Sequence, residues 1–128
     1  MSQVNLEHVN ITVSDPAATA AMLCDLFDWT VRWQGESMMG GHTYHVGTDD
    51  QYLAVYTYDG SPAIPDTGNS RIRGGLNHVG VLVDDLAKIE AKVIAAGFKP
   101  DNYGDYQPGR RFYFTDQDNI EYEVVSYS

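Results

Sequence analysis

The 128-residue sequence has only one cysteine, Cys24, and only eight basic residues against 18 acidic ones. A single cysteine cannot form a disulfide within the chain, which favours a reducing compartment and predicts a cytoplasmic location. No run reaches the roughly 20 apolar residues of a membrane span, and the first residues lack the pattern of a signal peptide. The net charge of −10 repels nucleic-acid phosphates and anionic lipids, so we expect no nucleic-acid and no membrane partner.

What the sequence does contain is an internal repeat. Residues 6–15 (LEHVNITVSD) align with residues 76–85 (LNHVGVLVDD) at an offset of 70, which places His8 and His78 at equivalent positions. Both segments alternate apolar and polar residues and are rich in β-branched side chains. Each segment therefore predicts a β-strand at the start of its half of the chain.

Each repeat strand is followed by a predicted helix and three shorter strands. The helices are expected at 16–27 and 85–96, and the second ends at Gly97, a residue type that terminates helices. Alternation and turn residues then predict the shorter strands. These strands are 30–36, 42–47 and 51–58 in the first half and 98–103, 110–115 and 120–126 in the second. The predicted fold class is α+β, built from two βαβββ modules.

A segment rich in glycine and proline joins the two modules at residues 59–75. We assign one domain over 1–128, with module one at 4–58, this linker, and module two at 76–127. A connection of this length is often functional, although a plain exposed loop is equally consistent with its composition.

Strand parity places the two repeat histidines on equivalent faces. On each repeat strand, the histidine lies opposite the β-branched residues that can pack beneath the helix. Two modules packed side by side would bring His8 and His78 into one cleft, and the last strand would add Glu123, which lies deeper in that strand than Glu121. Two imidazoles and a carboxylate suit a divalent metal with open positions for substrate. The alternatives are structural hydrogen bonding for the histidines and a strand-edge charge for the glutamate.

The first module offers no equivalent of Glu123. Moving back by the offset of 69 that applies after the helices gives Ala54, which has no ligating atom. We prefer His42 to His45 as a cleft residue because it shares strand parity with Tyr44. A tyrosine near a bound metal can serve as acid or base, and an arginine can bind a substrate carboxylate or phosphonate, although packing and solubilising roles are the alternatives. The candidate acid or base is Tyr56, and the candidate substrate contacts are Asn10, His42, Tyr52, Ala54 and Arg110.

The sequence resembles the vicinal oxygen chelate superfamily, which includes glyoxalase I, bleomycin-resistance proteins, fosfomycin-resistance proteins and extradiol dioxygenases. The resemblance covers nearly the whole chain and rests on LEHVNITVSD, LFDW, GLNHVGVLVDD and FYFTDQDNIEYEVVSY, in that order. It implies that the modules pair into an open, cup-shaped barrel with a metal held by His8, His78 and Glu123. Alanine at position 54, where glyoxalase I has a glutamate, weighs against lactoylglutathione chemistry.

Two alternative functions follow from the resemblance. The first is a glyoxalase-like lyase, isomerase, transferase or dioxygenase in which Fe, Mn, Ni, Zn or Mg binds a small-molecule substrate through neighbouring oxygens. The second is a metal-free drug- or small-molecule-binding protein of the bleomycin-resistance type. Small members of this superfamily commonly complete the cup across two chains, so the resemblance also implies a homodimer.

Overall fold

The computed structural model describes residues 3–37, 40–58 and 69–128 of the chain. The chain divides into two compact units, Met1–Ala63 and Ile64–Ser128, and each contains one βαβββ module. The α+β class and the two-module organisation are therefore confirmed. Residues 59–68 of the predicted linker lie outside the described residues, as do residues 38 and 39 of a predicted turn.

Module one is a four-stranded mixed sheet with one helix. Its sheet order is β1-β4-β3-β2, in which β1 runs parallel to β4 and the other neighbours are antiparallel. The Asp15 carboxylate accepts a hydrogen bond from the Ala18 N–H at the start of the helix, and Pro16 occupies the first turn, where its missing N–H needs no partner. The elements are β1 (His8–Thr12), α1 (Pro16–Phe27), β2 (Thr30–Glu36), β3 (His42–Gly47) and β4 (Tyr52–Thr57).

Module two repeats this arrangement after a short 3-10 helix at Asn69–Arg71. Its sheet order is β5-β8-β7-β6, again with the first pair parallel. The elements are β5 (Val79–Leu82), α2 (Leu86–Ala95), β6 (Asp101–Tyr106), β7 (Gly109–Thr115) and β8 (Glu121–Ser126). In the described part of the chain, α1 and α2 are both too short or too polar to cross a membrane.

Strand β6 lies later in the sequence than predicted, at 101–106 rather than 98–103. Glycine is typical of turns, but Gly104 pairs with Arg111 in the sheet. The register shifts between Asp101 and Gly104, and Asn102 there has a φ of 50°. Such an irregularity lets an edge strand bend and continue, so the reversal to β7 falls after Tyr106 instead.

Each module has its core between its helix and one face of its sheet. In module one, Leu23 and Leu26 of α1 are fully buried with Val46 and Val55 of the sheet. In module two, α2 packs on β7 and β8. The fully buried apolar side chains described there are Val93, Phe112, Phe114, Tyr122 and Val124. Alternation along the strands directs their other residues, including His8 and Glu123, to the opposite face of each sheet.

Asp116 organises the turn that leads into β8. Its Oδ1 accepts hydrogen bonds from the N–H groups of Asp118 at 2.9 Å and Ile120 at 3.0 Å. Its Oδ2 accepts one from the buried hydroxyl of Tyr122 at 3.1 Å. Asn119 has a φ of 63° in this turn, a conformation that asparagine tolerates better than most residues. The turn therefore fixes the residue at which β8 begins.

Candidate metal centre

His78 and Glu123 lie side by side in module two. His78 directly precedes β5, and Glu123 in β8 pairs with Gly80 across the parallel ladder. The His78 Nε2 is 3.1 Å from the Glu123 Oε1, and the two side chains are 32% and 13% exposed. The prediction that these two residues could form part of one site is therefore geometrically consistent within this module.

The hydrogen bond at Nδ1 determines the tautomer of a neutral His78 ring. The His78 Nδ1 lies 2.8 Å from the Asn77 Oδ1, and because an amide oxygen only accepts, Nδ1 carries the proton. In the neutral ring, the Nε2 lone pair then faces a carboxylate oxygen, an arrangement that a bound cation would stabilise, whereas in the protonated ring Nε2 donates to that oxygen. Their separation of 3.1 Å is close to the spacing of neighbouring ligands on one small metal ion, whose bonds are about 2.0–2.2 Å long. These residues fit a divalent metal.

His8 in module one is oriented in the same way. It begins β1, and its Nδ1 donates to the Glu7 Oε1 at 2.8 Å. Histidines that bind metals commonly donate the second ring N–H to a carboxylate or carbonyl, which directs the remaining lone pair at the metal. Glu7 and Asn77 have this role without a prediction from residue type, although both stand in the repeat directly before a histidine.

Across residues 3–37, 40–58 and 69–128, no three His, Cys, Asp or Glu side chains form a group that could hold a metal. The site is described here as a histidine–glutamate pair in module two and a separate histidine in module one. Joint coordination by His8, His78 and Glu123 stays a prediction.

Arg111 contacts the glutamate, whereas the sequence analysis selected Arg110. The Arg111 Nη1 donates to the Glu123 Oε2 at 2.8 Å. Arg110 pairs with Ser126 and so lies on the helix-covered face of β7, opposite to Glu123. The predicted substrate contact of Arg110 is therefore not on the face of Glu123. Odd-numbered positions of β7 share the face of Glu123, because Tyr113 is its cross-strand partner.

Tyr113 lies on the same face, close to both members of the pair. Its ring is edge-on to the His78 imidazole, with the ring centroids 5.6 Å apart. Burial raises the pKa of its hydroxyl, and the neighbouring negative charge of Glu123 raises that pKa further. The Tyr113 hydroxyl therefore keeps its proton at neutral pH and can act as a hydrogen-bond donor beside the carboxylate.

Ala54 is the structural equivalent of Glu123, as the repeat predicts. Asn10 pairs with Ala54 across β1 and β4, and Gly80 pairs with Glu123 across β5 and β8 in the same parallel arrangement. Module one therefore has a histidine without a carboxylate at the matching position. The predicted site residues Asn10, Tyr52, Ala54 and Tyr56 all lie on the His8 face of this sheet.

The structure places His45, rather than His42, on the same sheet face as His8. His45 pairs with Ala54 and therefore lies on the His8 face. His42 does share the parity of Tyr44, but that face is the one on which α1 packs, and the His42 Nε2 lies 3.3 Å from the Gln34 Oε1. Alternation along one strand shows which of its residues share a face. The pairing with neighbouring strands is needed to show whether the helix covers that face.

Aromatic rings form a continuous series on the His8 face of module one. The His8 ring stacks on Tyr52 with centroids 4.9 Å apart, and the Tyr52 ring stacks on His45 at 4.5 Å. Trp33 continues the series, 4.9 Å from His45. The Arg32 guanidinium lies 4.6 Å from the Tyr52 centroid. Strand register identifies His45 through its pairing with Ala54 and Trp33 through its pairing with His45, whereas Arg32 lies at the irregularity of β2 and has no such signal.

Replacing His45 with glutamine should flatten the loss of stability on acidification. Burial lowers the pKa of His45, and the charges of His8 and Arg32 lower it further. The unfolded chain then takes up the proton more readily than the folded one, so this residue destabilises the fold as the pH falls through about 6.5. Calorimetric melting temperatures between about pH 7 and about pH 5 measure the effect, with His42→Gln as the control for losing a histidine from the same strand. Parallel curves for the parent and His45→Gln would contradict this prediction.

Comparisons with known proteins agree with the architecture. The sequence profile of the Glyoxalase/Bleomycin resistance protein/Dioxygenase superfamily matches residues 5–124. A glyoxylase/bleomycin resistance protein/dioxygenase domain from Frankia sp. EAN1pec has a similar structure, with a TM-score of 0.81 and 22% identity over 98% of both chains. No curated protein matches the chain by sequence.

Two fosfomycin resistance proteins are also structurally similar. FosX from Mesorhizobium loti has a TM-score of 0.73 and 20% identity over 97% of this chain and 92% of its own. A mutant FosX from Listeria monocytogenes, complexed with Mn(II) and dihydroxypropylphosphonic acid, has a TM-score of 0.71 and 16% identity over 97% and 93%. At these identities, the similarity establishes the shared fold.

Proposed function

The chain belongs to the Glyoxalase/Bleomycin resistance protein/Dioxygenase superfamily, and we propose that it is a metal-dependent enzyme whose small substrates bind the metal through two neighbouring oxygens. The observation that carries this proposal is the 3.1 Å approach of the His78 Nε2 to the Glu123 Oε1. A complex of FosX with Mn(II) and a dihydroxy compound supports it by analogy of fold.

His8, His78 and Glu123 are the residues proposed to hold the cation. Hydrogen bonds at Nδ1 direct both histidines to offer Nε2, and an imidazole–carboxylate set suits Fe, Mn, Ni or Zn, with Mg also possible through oxygen ligands. When bound, the metal supplies a Lewis acid that stabilises negative charge on a substrate oxygen. Ala54 contributes no ligand, so substrate oxygens can use the position that a carboxylate would otherwise fill.

The remaining residues of the proposed site bind the substrate and move protons. Tyr56, half-buried on the His8 face, is the proposed acid or base. Asn10, Tyr52 and Ala54 stay proposed substrate contacts from module one, and His45 takes the place of His42. In module two, Arg111 takes the place of Arg110, because it is the arginine that lies on the face of Glu123.

We further propose a cytoplasmic homodimer in which His8 of one subunit and the His78–Glu123 pair of the other complete each metal site. Mixing His8→Ala with His78→Ala protein tests this, because a mixed dimer would contain one intact set of ligands. We expect each variant alone to bind little Mn(II) and the re-equilibrated mixture to recover part of the binding. A monomer by sedimentation, or no recovery in the mixture, would refute the shared site.

A metal-free small-molecule-binding protein is the second candidate. The observation that favours it is the Arg111–Glu123 ion pair, which gives the carboxylate a counter-ion without a metal. Metal content of protein purified without chelator, followed by titration with Mn(II), Fe(II), Ni(II) and Zn(II), separates the two candidates. Stoichiometric metal followed by turnover of a vicinal diol, epoxide or α-ketoaldehyde adduct supports the enzyme. Ligand binding without any metal uptake supports the binding protein.

A further inference from the structure

We propose that Arg111 determines the cation selectivity of this site by occupying one oxygen of Glu123, so that the carboxylate can give a metal only one bond. The inference rests on the proposed function, since it requires a cation at His78 and Glu123. It gives Arg111, already a proposed substrate contact, a second role that acts through Glu123.

The two oxygens of Glu123 have different partners. Oε2 accepts a hydrogen bond from the Arg111 Nη1 at 2.8 Å, while Oε1 lies 3.1 Å from the His78 Nε2. The Arg111 side chain is 10% exposed and that of Glu123 is 13% exposed. A charge-assisted hydrogen bond that is so well shielded from water is stronger than an exposed one, so Oε2 is not readily released to a cation.

The surrounding residues hold the Arg111 guanidinium in place. It lies over the Tyr106 ring, 4.4 Å from the centroid, and its Nη2 donates to the Gly109 carbonyl at 3.3 Å. Gly104 provides the room for this stack, because a Cβ there would lie 2.6 Å from the Tyr106 ring. Arg111 is therefore held by a ring, a backbone carbonyl and a glycine, unlike a solvated surface charge.

The Nε of Arg111 differs from the other two guanidinium nitrogens in its hydrogen bonding. Within the described residues, its Nε is buried and has no hydrogen-bond partner. A two-bond contact between a guanidinium and a carboxylate would engage both oxygens of Glu123. The structure instead leaves Nε unpaired and directs Oε1 at His78. This arrangement reserves one carboxylate oxygen for a cation.

A carboxylate with one available oxygen discriminates between metals. Zinc forms four-coordinate sites that combine imidazole with carboxylate oxygens, and manganese forms six-coordinate sites. Calcium gathers about six to eight oxygens and often takes both from one carboxylate. By withholding Oε2, Arg111 should disfavour Ca(II) relative to Mn(II).

Arg111→Met tests the inference, because methionine fills similar space without charge or hydrogen-bond donors. Arg110→Met is the matched control, since Arg110 is the neighbouring residue on the opposite face of β7. The Kd of Mn(II) is measured by electron paramagnetic resonance and that of Ca(II) by competition. We expect Arg111→Met to lower the ratio of the Ca(II) Kd to the Mn(II) Kd about tenfold, with the parent ratio kept in Arg110→Met. Because both cations carry the same charge, neither the lost charge nor partial unfolding alters this ratio by itself.

The outcomes separate this inference from the proposed function. Mn(II) binding by the parent with an unchanged ratio in Arg111→Met would overturn the role of Arg111 and leave the metal site standing. No Mn(II) binding by the parent would overturn both. If Arg111→Met does not fold, infrared difference spectra of the parent with and without Mn(II) decide. One-oxygen carboxylate coordination supports the inference, and two-oxygen coordination overturns it.

Discussion

Replacing Glu123 with alanine should weaken Mn(II) binding by at least about 100-fold. Even residues that only orient metal ligands change affinity by about 10–100-fold when mutated, and Glu123 is a proposed ligand. The same change also removes the partner of the shielded Arg111 guanidinium, which leaves a positive charge beside the incoming cation. Titration of the metal-free protein by calorimetry or electron paramagnetic resonance measures the loss.

Glu121→Ala is the control for Glu123→Ala. Both glutamates lie on the same face of β8, but Glu121 begins the strand and pairs with Thr115. We expect Glu121→Ala to bind Mn(II) like the parent. Glu123→Gln keeps the side-chain volume and should also lose most of the affinity, which separates a ligand effect from a folding effect. Loss of metal in Glu121→Ala with retention in Glu123→Ala would show that the wrong carboxylate has been assigned.

Replacing Asp116 with alanine should lower the free energy of unfolding by about 2–4 kcal/mol. Hydrogen bonds to a charged group contribute about 1.5–3 kcal/mol, and buried donors left unpaired add a further cost. The carboxylate accepts from two backbone N–H groups and from the Tyr122 hydroxyl. The Tyr122 side chain is fully buried, so water cannot replace the lost acceptor there. Urea unfolding followed by circular dichroism measures the change.

Asp116→Asn distinguishes the hydrogen bonds from the charge. Burial raises the pKa of Asp116, although its hydrogen bonds act in the opposite direction. The folded state therefore binds this proton more readily than the unfolded chain, so the ionised carboxylate is itself unfavourable at neutral pH. Asparagine keeps one acceptor oxygen without charge, and we expect it to lose less stability than alanine. Equal stability of the parent and Asp116→Ala would refute this account of the turn.

The fold could be predicted because the repeat and the strand alternation are local properties of the sequence. The helix at Pro16–Phe27 and the strands Thr30–Glu36 and His42–Gly47 have their predicted bounds. Strand β6 could not be located, because Gly104 has the composition of a turn while its place in the sheet comes from pairing with Arg111. Pairing with a neighbouring strand outweighs the preference of a single residue.

For the candidate site, strand alternation could be used from the sequence, but the register between strands could not. Alternation along β8 puts Glu123 on the face opposite to Tyr122 and Val124, which are both buried. The choice between His42 and His45 needed the register of a second strand, which parity does not supply. The contact of Arg111 with Glu123 joins residues 12 positions apart in sequence, and it depends on the β7–β8 register.

The residue before each repeat histidine differs in charge between the two modules. Glu7 places a full negative charge on the His8 N–H, whereas Asn77 offers His78 only an amide dipole. A carboxylate acceptor pushes more electron density onto the far ring nitrogen than an amide does. The repeat therefore keeps the position of the imidazole but not its hydrogen-bond acceptor, so in the proposed metal site His8 would be the stronger nitrogen donor and His78 the weaker one.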